Sequence, residues 1–257
     1  LDSTTAALSQ HLYPSANIRN ESFARTNLPD GSFDMTIGNV PFGRFALTDR
    51  RHNADGESIH NHFILKSMDL TRPGGLVAVL TSRFTLDSQD SGARRKMAEK
   101  ADLVGAVRLP TGSHQRASGT DVIEDLLIFR VREPGEPPKG DQSWFTSTKQ
   151  QIDDQVIAIN DYWAEHPENV LGTMSAEKGR FGTGDLIVRG DRDMTDLPDV
   201  LAGIVESARE DGLTATASTG DRPDLVEADS SRHDGHIRVE EDGSFTQAVN
   251  GASVPFD

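Results

Sequence analysis

The 257-residue chain suits one large domain or two smaller ones, and its 35% hydrophobic content is enough for a real core. With no cysteine it is barred from disulfides and cysteine-based metal or redox sites, which fits a reducing, cytoplasmic setting, and no apolar run reaches the length of a membrane span. A formal net charge of -15 argues against a generic polyanion binder, since most nucleic-acid affinity comes from neutralising phosphates.

The charge is uneven. Arg83, Arg94, Arg95, Lys96, Lys100, Arg108, Arg116, Arg130 and Arg132 fall in the middle of the chain, while acids crowd the last third. A locally basic face on an acidic chain is compatible with that distribution. The opening Leu1-Asp2-Ser3-Thr4-Thr5 lacks the basic and apolar segments of a signal peptide, and the missing initial methionine leads us to expect a piece of a longer protein.

Ser3 to His11 has helical composition, ended by Pro14, and Ala16 to Arg19 reads as a short strand. After the Leu28-Pro29-Asp30-Gly31 turn, Asp34 to Ile37 alternates and is expected to be a buried strand. Thr48 to Glu57 has little to bury and reads as a mobile surface loop. Ile59, Phe63, Ile64 and Met68, with Leu65, form the apolar stripe of a helix, off which His62, Lys66 and Asp69 fall. Pro73-Gly74-Gly75 stops it, and Leu76 to Leu80 is a strand covered on both faces.

Asp87 to Lys100 is predicted as one polar helix, with Arg94-Arg95-Lys96 on a solvated face. Leu103 to Leu109 and Asp125 to Val131 are strands with no helical pattern between them, so they need not be parallel. Residues 133–140 have linker composition, Asp161 to Val170 is helical in part with Tyr162 and Trp163 able to dock, and Leu197 to Glu210 is an amphipathic helix. Beyond Asp211 low order is expected, apart from a hairpin about Asp242-Gly243. The series is an α/β alternation closed by a β-β pair.

The most specific stretch is Asn39-Val40-Pro41-Phe42, just past the predicted strand at Asp34 to Ile37. Functional groups in open α/β sheets gather at such carboxyl ends. The Asn39 side-chain oxygen and the Val40 carbonyl can each accept one hydrogen of a conjugated amine, Pro41 fixes the backbone between them, and Phe42 can stack on the heterocycle. His60 and His62 are two residues apart and do not share a helical face, so a helix-start or loop-contact role is expected of them rather than zinc, and no metal site is expected. Arg83 is expected to face a groove or to cap a strand. Ser118-Gly119-Thr120 lacks the lysine and spacing of a phosphate loop.

Asn39-Val40-Pro41-Phe42 resembles the Asn/Asp-Pro-Pro-aromatic hallmark of S-adenosylmethionine-dependent amino-methyltransferases, with valine in place of the first proline. The Ile-Gly-Asn-Val-Pro-Phe-Gly form is similar to large DNA methylases fused to helicases. Ile59-His60-Asn61-His62-Phe63, Leu70 to Gly75, Thr81-Ser82-Arg83 and Leu109-Pro110 extend the likeness from Asp34 to Arg132.

The resemblance implies a Rossmann-like class I methyltransferase fold: three α/β/α layers and a mostly parallel sheet with a terminal antiparallel strand. It implies transfer of a methyl group from S-adenosylmethionine to adenine N6 in DNA, with a helicase or specificity region elsewhere in the parent protein. It gives Asn39, Val40, Pro41 and Phe42 catalytic places, and puts Asp2, Ser22, Phe23 and Asn39 on the cofactor side, Ser22 standing where the family has an acid. The family's glycine-rich cofactor loop is absent.

On this reading residues 1–133 are the carboxyl-terminal portion of a catalytic domain, 134–151 a linker, 152–210 a partly helical extension and 211–257 a low-order acidic tail or small hairpin. A non-catalytic binding or assembly module, or a methyltransferase acting on RNA or protein glutamine, stays open.

Overall fold

The computed structural model describes residues 2–113, 122–178, 184–190, 192–218, 235–249 and 252–256. Its centre is a four-stranded sheet built from β1 (Phe33–Asn39), β2 (Thr71–Ser82), β3 (Ala101–Arg108) and β4 (Glu124–Val131), in the spatial order β1-β2-β4-β3. β1 and β2 pair in parallel, whereas β4 runs antiparallel to both β2 and β3. The fold is therefore α/β with a mixed sheet rather than a mostly parallel one: only β1 and β2 pair in parallel, because the antiparallel last strand is inserted between β2 and β3. Three strands share a carboxyl end, at Asn39, Ser82 and Arg108.

Helices form where apolar spacing and chain breaks allow. Helix α1 (Ser3–Leu12) is capped by Asp2, whose carboxylate accepts from the Thr4 N–H at 3.0 Å, and it buries no residue. α2 (Ile59–Leu70) lays Ile64, Leu65 and Met68 on the sheet, as its stripe predicts. The predicted helix from Asp87 is two: α3 (Phe84–Asp87) and α4 (Gly92–Lys100), broken where the Asp87 carboxylate turns inward.

The expected strand at Ala16 to Arg19 is not formed: residues 17–20 have no regular secondary structure and pair with no strand among the described residues. β1 is accordingly an edge strand, and Met35 and Ile37 are exposed rather than buried, Ile37 at 76%. The Pro-Gly-Gly segment lies inside β2. Between the pairs Phe33 with Thr71 and Met35 with Leu76 the register shifts, so residues 72–75 bulge, and Gly74 takes a left-handed φ of 71° that a side chain would resist.

The stretch from Thr48 to Glu57 is ordered, contrary to its composition. Asp49 is buried and accepts from His62 Nε2 at 3.1 Å and Lys66 Nζ at 2.9 Å, and also from the Arg51 and His52 N–H groups. Asn53 closes the loop through the Leu47 and Glu57 backbone. His62 and Lys66, off the apolar stripe, are thus buried at 0% and 1% exposure. Arg94 is buried as well, its guanidinium donating to the Phe145 and Thr85 carbonyls, while Lys96 pairs with Asp55 and Glu57. Of the expected solvated basic face only Arg95 is exposed.

Much of the chain between Trp144 and Leu213 is packed on the sheet. The stretch with linker composition leads directly to Trp144, 1% exposed, in the same core as Val79, Leu127 and Phe129. Hairpin β5 (Ser147–Ile152) and β6 (Gln155–Asn160), helix α5 (Tyr162–Glu165), and hairpin β7 (Thr173–Lys178) and β8 (Gly184–Arg189) follow. Ile159, Tyr162, Trp163 and Val188 join that core, so Tyr162 and Trp163 dock as expected. α6 (Leu197–Glu210) presses Val200 and Ile204 onto a second cluster with Val107 and Leu109. Beyond it, Thr216 N–H donates to the Gly74 carbonyl and Arg72 donates to the Thr216 carbonyl. The hairpin about Asp242-Gly243 is formed by β9 (Ile237–Val239) and β10 (Phe245–Val249), with β11 (Ala252–Pro255) added.

A buried ion cluster joins these parts. Arg108, at 0% exposure, is bidentate to Asp125 at 2.8 and 2.9 Å and reaches Asp87 at 3.0 Å, with its guanidinium 4.4 Å from the Trp163 ring. Asp87 also accepts from the Asn160 N–H and from Arg83. Removing one partner of such a group strands buried charge, at a cost of about 3–5 kcal/mol. Arg108→Met should therefore lower the urea midpoint sharply, and adding Asp125→Asn should recover part of the loss.

Asp49 carries a pH signature. Burial pushes its carboxyl up, but the hydrogen bonds from His62, Lys66 and His52 outweigh that and hold it below the ordinary aspartate value. A depressed folded value contributes stability that is complete above the unfolded pKa, about 3.9, and is lost as pH falls through the folded one. Asp49→Asn should be less stable than wild type at pH 7, with a shallower further decline below about pH 4 in urea titrations.

Candidate acceptor site

Asn39 is the last residue of β1, in register with Leu80 of β2, and is exposed. Val40 follows the strand by one hydrogen bond, its N–H donating to the Leu80 carbonyl at 3.0 Å, and its side chain is 6% exposed in the main core. A proline at this position could not donate that bond. Packing and the extra bond hold the loop where ring rigidity would otherwise act. Pro41 is exposed and Phe42 is half-buried against the core.

The loop is then pinned to α2. The His60 ring hydrogen-bonds the Gly43 backbone and lies 3.1 Å from Ser58 Oγ, and the Ile59 N–H donates to the Phe45 carbonyl. Burial lowers the His60 pKa, outweighing the Gly43 hydrogen bond and the charge of Glu57, so the imidazole is neutral at pH 7. Gly43 has no room for a side chain: a Cβ there would lie 2.6 Å from the Phe45 ring. Both histidines therefore make loop contacts, His60 from the first turn of α2 to Gly43 and His62 to Asp49.

Phe42 and Gly43 line a cavity of about 700 Å³. The start of α2 supplies Ser58, His60 and Asn61, and the end of β2 supplies Ser82 and Arg83. The opposite wall is hairpin β7–β8, through Glu177, Asp185, Ile187 and Arg189. That hairpin is fastened to the segment after β3: the Thr111 N–H donates to the Val188 carbonyl at 2.9 Å, and the Val188 N–H donates to Thr111 Oγ1 at 2.8 Å. Asn61 Oδ1 is buried and has no hydrogen-bond partner among the described residues. Arg83 lines the cavity and also bonds Asp87, so groove and strand-end roles coincide. Ser118-Gly119-Thr120 lie outside the described residues.

The cofactor-side residues are arranged differently. The Asp2 carboxylate is occupied in capping α1 through Thr4 and Thr5. Ser22 precedes a single 3-10 turn, Phe23–Arg25, and its carbonyl accepts from the Arg25 and Thr26 N–H groups. The Phe23 ring packs 4.7 Å from Phe63, with Lys66 Nζ 5.2 Å from its centre. None of Asp2, Ser22, Phe23 and Asn39 lines the 700 Å³ cavity. Asp2 caps α1 and Phe23 stacks on Phe63. Among the described residues no group of three or more His, Asp or Glu side chains is placed to hold a metal ion. No helix among them is long and apolar enough to cross a membrane.

No protein-family model matches the chain. Over 135 residues it is 29% identical to defense against restriction protein B of Escherichia phage P1, a match covering 51% of this chain and 6% of that protein. The chain thus spans a small part of the length of that relative. Among solved structures it is similar to the M protein of the type I restriction enzyme EcoKI, at 14% identity and a TM-score of 0.41, covering 82% of this chain and 57% of that one. It is similar to a protein of Vibrio vulnificus YJ016 described as a type I restriction enzyme modification subunit, at 18% identity and a TM-score of 0.38 over 70% and 43% of the two chains. It is also similar to a protein of Listeria monocytogenes described as a class I S-adenosylmethionine-dependent methyltransferase, at 18% identity and a TM-score of 0.38 over 46% and 37%.

Proposed function

We propose that this chain carries the acceptor side of a methyltransferase that uses S-adenosylmethionine and modifies adenine N6 in DNA. The observation that carries the reading is the placement of Asn39 to Phe42. The loop leaves the carboxyl end of β1, is tied down by Val40 and His60, and presents Phe42 to a cavity that Asn61 also lines.

In this reading the adenine amine donates to Asn39 Oδ1 and the Val40 carbonyl. Two in-plane acceptors draw the nitrogen towards a tetrahedral geometry and turn its lone pair away from the ring. Phe42 stacks on the extruded base, and base-aromatic stacking of about 1–3 kcal/mol offsets the few kcal/mol of unstacking. Asn61 is then a further acceptor for the base or its sugar. Similarity to a phage protein named for defence against restriction supports a place in restriction-modification or antirestriction, with DNA and further subunits or regions as partners.

The second reading, a non-catalytic binding or assembly module, is favoured by α1, which buries no residue, and by the bare edge of β1. Calorimetry with S-adenosylmethionine on the full-length parent separates the two, since binding there supports an enzyme and its absence supports a module. Asn39→Ala should abolish methyl transfer to adenine-containing DNA, measured in the full-length parent with radiolabelled donor, at unchanged thermal stability; wild-type transfer by that variant would sink the assignment. RNA and glutamine-containing protein run beside DNA in the same assay identify the acceptor. Phe42→Ala should weaken binding of the extruded base by about 1–3 kcal/mol, or roughly 5- to 150-fold, read by titration of an oligonucleotide with an unpaired adenine.

A further inference from the structure

A second cavity, of about 260 Å³, lies between the Phe23–Arg25 turn, the loop around Asp49 and the middle of α2. Basic side chains line it from all three segments: Arg25, then Arg50, Arg51 and His52, then Lys66. Three of these five are already committed. Lys66 pairs with Asp49 at 2.9 Å, Arg51 with Asp30 at 2.7 Å and His52 with Asp69 at 2.8 Å. Asp49, the one carboxylate lining the cavity, is saturated by His62, Lys66 and two backbone N–H groups.

Arg25 and Arg50 are left over. Both are exposed, and among the described residues neither has an ion pair or a side-chain hydrogen bond. A chain with 41 acidic residues against 26 Lys and Arg has ample carboxylate to neutralise them, yet the nearby acids are spent on the other three. Two forked, always-charged arginines lining one concavity suit an oxyanion with several acceptor oxygens, and phosphate matches that fork geometry.

The position relates this cavity to the acceptor site. α2 holds the Gly43 backbone through His60 and holds Asp49 through Lys66, six residues further along the same helix. At 1.5 Å per residue the two anchors are about 9 Å apart along the axis, the rise of two to three nucleotides in one strand. We propose that Arg25 and Arg50 form a phosphodiester-binding site that grips the backbone of the nucleic acid whose base enters the cavity beside Phe42. The site rests on the nucleic-acid reading of the acceptor cavity. It adds positioning residues that lie outside the resemblance running from Asp34 to Arg132 in the case of Arg25, and outside its quoted motifs in the case of Arg50.

Fluorescence anisotropy with a labelled adenine-containing duplex, titrated between 50 and 200 mM KCl, tests the proposal on the full chain. Loss of two phosphate contacts should make the slope of log K against log salt shallower by about 1.8 in R25Q/R50Q, whereas R25K/R50K and Asn39→Ala should keep the wild-type slope. Inorganic phosphate added at matched ionic strength should compete poorly, because a single phosphate cannot span the duplex contacts.

An unchanged slope in R25Q/R50Q overturns the site, as does a wild-type chain without duplex affinity. Displacement by polyglutamate as effective as by unlabelled duplex overturns it in favour of an acidic protein partner. The two readings fail separately. Retained methyl transfer by Asn39→Ala, with the slope still set by the arginines, removes the adenine assignment and keeps the phosphate site. Lost transfer with an unchanged slope in R25Q/R50Q does the reverse.

Discussion

The buried cluster of Arg108, Asp125 and Asp87 is the constraint on which the rest of this structure depends. It joins the carboxyl end of β3 to the start of β4 and to α3, and through Asn160 and Trp163 it reaches the segment that follows the sheet. A guanidinium without solvent is tolerable only if its donors are matched, and here two carboxylates, an aromatic face and the Met174 sulfur surround it. Through Asp87 the cluster also holds Arg83, which with Ser82 lines the cavity beside Phe42.

The acceptor loop is fixed by local means. Val40 extends the β1–β2 ladder and sinks its side chain into the core, His60 holds Gly43, and Asp49 anchors the far end of the loop on His62 and Lys66. Fixed attachment of this kind leaves little ordering to be done when a ligand arrives, which is what a site that orients an amine by two hydrogen bonds requires.

How much of this could be read in advance depends on the range of the interactions. The stripe on α2, the bounds of α6 and the four sheet strands follow from period and punctuation, which are local. The burial of Arg94 depends on the Phe145 carbonyl, 51 residues away, and the order of the Thr48 to Glu57 loop depends on partners in α2. Neither has a signature in its own neighbourhood. The same holds for the cavity: Phe42 stands in a readable motif, but Glu177 and Arg189 lie in a hairpin of mostly polar alternation that periodicity missed. Ile37 was misread because alternation describes a strand with one buried face and says nothing about whether a neighbour covers the edge.

The hairpin wall has a consequence for the order in which the molecule matures. β4 runs antiparallel and delivers the chain to the opposite end of the sheet, so the following residues must travel back before Val188 can meet Thr111, 77 positions earlier. Contacts so distant in sequence form late, because loop closure precedes their reward. During synthesis the motif-bearing loop emerges early, whereas the concavity it faces is enclosed only once the residues near Arg189 have left the ribosome. Until then the concavity is an open ledge with no far side.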